Sequence, residues 1–185
     1  MHNILLHALA AILYGGLAVH FWRTRWQGPL LDRPSGGLRP LERLVLLLAL
    51  VVHALSLRIE IFGDGQMRFG FAIAISVMMW LATALYWIES FYARMDGLQV
   101  MGLPLTAVAV LLPGLFTAPH LLANAGSPGF RLHFLTAMLA YSLFTLAALH
   151  ALLMAAAERH LHRAKSHLYS PVCLRCSPWR RCYSA

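Results

Sequence analysis

Apolar residues gather into five long runs, at 3–22, 44–62, 69–92, 101–118 and 133–157, and most charges fall between or beyond them. Each run has close to the twenty residues that a helix needs to cross a bilayer core of about 30 Å. The pattern predicts an all-α, polytopic membrane helix bundle with five transmembrane helices. The loop after the first run carries Arg23, Arg25, Arg33, Arg39 and Arg43, the densest basic segment between any two runs. Because positive loops stay inside, the N-terminus is expected outside and the C-terminus inside. The first run ends in His20, Phe21, Trp22 and Arg23 with no small-residue cleavage site, so it reads as a retained helix and not as a signal peptide.

Composition sharpens this reading. With 59% hydrophobic and 12% charged residues the chain lies far from soluble proteins, about a quarter of whose residues are charged. The formal charge of +8 would suggest nucleic acid in a soluble protein, but here it sits at the ends of apolar spans and sets topology. Nucleic-acid binding is excluded on that ground, and the lipid bilayer is the expected surrounding.

Helix breakers mark the connections. The loop at 23–43 holds Pro29, Pro34, Gly36, Gly37 and Pro40. Pro104 suits the first turn of the fourth helix, and Pro113 followed by Gly114 should kink or end it. Residues 1–163 are expected to form the bundle, and 164–185 a disordered, basic, cysteine-containing tail. Cys173 and Cys176 form a CxxC there, with Cys182, His160, His162 and His167 near in sequence. Zinc could draw ligands from this set, but there is no second pair at standard spacing. The abrupt change of composition suggests a shifted reading frame or a truncation.

Candidate chemistry rests on histidines. In helical projection Ala137, Ala140, Phe144, Ala147 and Ala151 lie within roughly 40° of His133, a small-residue face that admits a neighbouring helix or a flat ligand. His53 stands inside the second span, where an imidazole is costly unless it faces the bundle or a cavity. Ser56 is its nearer expected partner, because Glu60 lies about 10.5 Å further along the axis. Arg58 and Glu60 read as an interfacial pair able to receive an anionic group, or as charges snorkelling into headgroups. His7 shares a face with Ala11, Tyr14 and Ala18, and packing competes with ligation there. His120 stands in a loop of helix breakers, while His20 and His150 are expected near the inner face. No set of nucleophile, base and oxyanion donor is visible, so independent catalysis is not expected.

The segment from His133 to Tyr141, followed by Ser142, Leu143, Phe144 and the run Ala147, Ala148, Leu149, His150, resembles the cytochrome c assembly family. That family includes the CcsA, CcmC and HemX-type membrane proteins, and the likeness is closest to its YpjD-type inner-membrane branch. His53, Ala54 and Leu55, and the GLQVMGLPL connection at 97–105, are also similar to that branch. The resemblance implies a multi-pass protein of the bacterial inner membrane that binds or delivers haem near the outer face, with apocytochrome c or other biogenesis components as partners. It places His133 at the family's external histidine, and His53 at a histidine of the YpjD-type branch. Two departures stand out: residues 118–132 lack the tryptophan-rich haem-cradling segment, and relatives continue into further spans.

Haem iron takes one or two neutral imidazoles, each oriented through its second nitrogen. His133 could pair with His53, His120 or His7, and Arg58 or Arg131 could meet the propionates. Two other readings stay open: a permease-like subunit or scaffold with His53, Arg58 and Glu60 along a polar path, and a truncated inactive copy.

Overall fold

The structure, a computed structural model, describes residues 2–26, 37–63, 67–92, 97–116, 120–121 and 127–168. Its helices are α1 (His2–Phe21), α2 (Pro40–Phe62), α3 (Phe71–Glu89), α4 (Leu98–Ala109), α5 (Leu112–Leu115) and α6 (Pro128–Leu168). Five helical segments are long and apolar enough to cross a membrane: Ile4–Arg25, Pro40–Phe62, Phe71–Glu89, Leu98–Leu115 and Pro128–Ala156. The five apolar runs therefore become five candidate spans.

Several boundaries differ for local reasons. α1 does not stop at Trp22; a π-helical turn at Trp22–Trp26 prolongs it and carries Arg25 inward. Pro40 occupies the first turn of α2, where its missing N–H costs nothing, and the Arg39 N–H donates to Glu42 Oε2 at 2.8 Å. Gly97, at φ 105°, precedes α4 in a left-handed conformation that suits glycine. α4 thus begins at Leu98, which puts Pro104 inside the helix and not in its first turn. Pro113 enters the first turn of the short α5 after a break at Val110 and Leu111, in line with the expected kink. Two short strands that the apolar pattern did not suggest, β1 (Arg68–Phe69) and β2 (His120–Leu121), pair antiparallel, with Phe69 opposite His120.

The chain divides into two compact units, residues 1–149 and 150–185. In the first, α1 packs on α2 and α4, and α3 packs on the same two helices, so four helices enclose one core. Ala10, Tyr14, Leu17, Phe21, Leu46, Ala49, Leu103 and Val110 fill it. α6 turns Ser142 and Leu149 inward, and Leu149 comes to rest beside Gly102 of α4. Only 11% of its most apolar window is buried, against 33–44% in the other four spans, so α6 is the peripheral span of the set. In the second unit α6 continues to Leu168, which includes the first five residues of the expected tail. Cys173, Cys176 and Cys182 lie outside the described residues, as do the side chains of His160, His162 and His167.

Candidate functional site

The antiparallel seam between α1 and α2 gathers polar side chains into two rungs. His7 and Tyr14 are seven residues apart on α1, as are His53 and Glu60 on α2, and seven residues return a helix to nearly the same face. His7 Nε2 lies 3.5 Å from Glu60 Oε1. One rung deeper, the rings of Tyr14 and His53 meet edge to face with centroids 5.7 Å apart. His53 is fully buried, and its Nε2 is 2.9 Å from Ser76 Oγ on α3. Ser56 instead donates to the His53 carbonyl at 2.8 Å, so the expected partner of the imidazole bonds its backbone. Arg58 is exposed, and Glu60 approaches His7. α5 closes over His7, since a Cβ at Gly114 would lie 3.9 Å from its Cδ2.

Deeper polar groups are closed in pairs. Thr83 Oγ1 is 2.9 Å from Thr106 Oγ1, and the Tyr86 hydroxyl donates to Gln99 Oε1 at 3.0 Å. They border a cavity of about 20 Å³, sealed on one side by Leu146 and Leu149 of α6 and large enough for about one water.

At the opposite end of α1 a second charged cluster forms. Arg25 Nη2 donates to Glu42 Oε2 at 2.9 Å and to the Gly37 carbonyl at 2.7 Å, and His20 Nε2 lies 3.1 Å from Glu42 Oε1. The Arg25 guanidinium stacks over Phe21, 4.9 Å from the ring centroid. Arg43 reaches the Ser90 carbonyl at 2.7 Å and stands 4.4 Å over the Phe91 ring. These arginines were legible as topology signals only. The burial of Arg25 against Glu42 carried one faint mark, an acid just inside a proline-started helix.

The third polar region is the corner where β1, β2 and the start of α6 meet. Strand pairing sets the His120 backbone opposite Phe69, and the Phe69 ring meets the Phe134 ring edge to face at 4.7 Å. His120 and His133 are thereby tied to the same residue, one through its backbone and the other through its chain neighbour. Arg68 and Arg131 flank the same junction. His133 is exposed, with Ala140, Phe144 and Ala147 exposed along its face. Ser142, the residue that α6 buries, is nine positions on and so about 180° around the helix. The alanine face thus looks away from the bundle and does not receive one of its helices. The side chain of His120 lies outside the described residues.

The structure therefore unites His7 with Glu60, and His53 with Tyr14 and Ser76, while His133 stands apart from both rungs. Among the described residues no group of three or more His, Cys, Asp or Glu side chains converges as a metal site. No family model matches the chain, and neither the curated proteins nor the solved structures contain a significant match to it.

Proposed function

We propose that the protein is a haem-binding or haem-delivering component of cytochrome c biogenesis, set in a bacterial inner membrane with its N-terminus outside and its C-terminus inside. The observation that carries this reading is the corner at β1, β2 and α6. Two histidines, His120 and His133, and two arginines, Arg68 and Arg131, are tied to one junction of the fold. That donor set suits haem: imidazole nitrogen for iron, guanidinium for propionate. His133 is exposed on a face of small residues, which leaves a flat ligand room to approach. His53 fits less well, because its ring is enclosed and its Nε2 already meets Ser76. His133 is the residue that would hold the iron, with His120 as its partner and Arg131 and Arg68 as the propionate contacts. The bound group would supply a redox-active iron; the chain supplies ligation, charge and an accessible surface.

The resemblance of the segment from His133 to His150 to the cytochrome c assembly family supports the same assignment. Apocytochrome c or another biogenesis component is the expected partner. Purified protein in detergent, reconstituted with haemin, should show a Soret band that shifts or weakens in His133→Ala. A spectrum identical to that of free haemin, or a band indifferent to His133→Ala, overturns the reading.

A further inference from the structure

Among the described residues, four buried polar atoms of the α1–α2 seam have no hydrogen-bond partner: Nδ1 and Nε2 of His7, the Tyr14 hydroxyl oxygen and Nδ1 of His53. Buried polar atoms are nearly always satisfied by a partner, so His7, Tyr14 and His53 form the polar seam least settled by the side chains around it. His7 is only 2% exposed, yet the carboxylate 3.5 Å from it is 24% exposed, so the buried base is reached from the surface through the acid. At 3.5 Å the two groups stand at the outer limit of a direct hydrogen bond, so a small side-chain movement brings them into contact.

We propose that His7 and Glu60 form an intramembrane proton-binding site that exchanges one proton with the surface on which Glu60 opens. In the uptake step, a hydronium ion gives up a proton to a Glu60 oxygen and leaves as water; the new carboxyl O–H bond then breaks as an N–H bond forms on the His7 ring. Imidazolium and carboxylate result, and the reverse step restores neutral imidazole. No electrons are exchanged and no other bond changes.

Among the described residues, the groups that face His7 are few. α2 contributes Glu60 and, one rung deeper, His53; α1 itself contributes Tyr14. α4 and α5 have no ionisable side chain, and Arg58 of α2 is exposed. A proton on His7 therefore has the Glu60 carboxylate as its counter-charge. The site ends at Ser76, because beyond it Thr83, Thr106, Tyr86 and Gln99 satisfy one another in pairs. None of this depends on the haem reading, which rests on the β1–β2–α6 corner.

The test is a pH titration of full-length, ¹⁵N-histidine-labelled protein in lipid nanodiscs, with the His7 resonance assigned by its loss in His7→Gln. Expected is a single reversible titration of His7 between about pH 4 and pH 10, with proton binding weakened about tenfold in Glu60→Gln and restored in Glu60→Asp. Should His7→Gln fail to fold, the resonance is identified as the one that responds to the two Glu60 variants. A His7 signal fixed in one protonation state throughout, or no histidine signal that responds to Glu60→Gln, overturns the proposal.

Discussion

α2 carries two acidic side chains, Glu42 near its start and Glu60 near its end, and each meets a histidine of α1. The two sites nevertheless differ in kind. Glu42 is surrounded: Arg25, the Arg39 backbone N–H and His20 all reach it within 3.1 Å. Its charge is spent on holding the π-helical end of α1, the segment before α2 and the first turn of α2 together. Glu60 meets an imidazole at 3.5 Å whose two nitrogens lack hydrogen-bond partners. A carboxylate enclosed by donors is a structural pin; one beside a buried imidazole and partly open to the surface is where we propose that a proton is exchanged. The two ends therefore place similar residue types in different surroundings: Glu42 is buried with Arg25, and Glu60 is partly exposed beside His7.

That contrast is broken most severely at the pin. Glu42→Ala leaves the Arg25 guanidinium buried without its counter-charge, and the expected loss is about 3–5 kcal/mol, read from unfolding in detergent. A smaller effect is expected between the two ends. Ser76→Ala removes the hydroxyl that meets His53 Nε2 and should cost about 1–3 kcal/mol. In Thr106→Val the interhelical bond to Thr83 is lost, and since such bonds inside membranes average about 0.6 kcal/mol, a drop of that order is expected. The smallest change belongs to the other acid. His7→Leu replaces an unsatisfied imidazole by an apolar group while Glu60 keeps its access to water, so stability should move by less than about 0.5 kcal/mol. A loss at His7→Leu as large as that at Glu42→Ala would erase the distinction between pin and proton site.

Much of this architecture was legible from hydrophobicity alone, because a bilayer demands long apolar helices and the chain has five of them. The break at Pro113 was readable for the same local reason. Partners were another matter. Periodicity placed Tyr14 on the face of His7, and axial distance separated His53 from Glu60, but the register of α1 against α2 depends on side-chain packing across helices distant in sequence. For that reason Ser76 and Glu60 could not be assigned to His53 and His7 beforehand. Which side of α6 meets the bundle was not readable for similar reasons: an alanine stripe admits a helix or a flat ligand without compelling either, and Ser142 with Leu149 took the inward side. The β1–β2 pairing left no signal, since two-residue strands have no periodicity to read.

The most direct measurement is a haemin titration of the full-length protein, comparing wild type with His133→Ala and His20→Ala. His20 is the control because it belongs to the pinned end of the bundle, bound to Glu42. Expected is an affinity lowered about tenfold, or about 1.4 kcal/mol, in His133→Ala and unchanged in His20→Ala. Equal affinities in all three proteins, or a loss in His20→Ala that matches the loss in His133→Ala, would contradict a haem site at the corner of β1, β2 and α6.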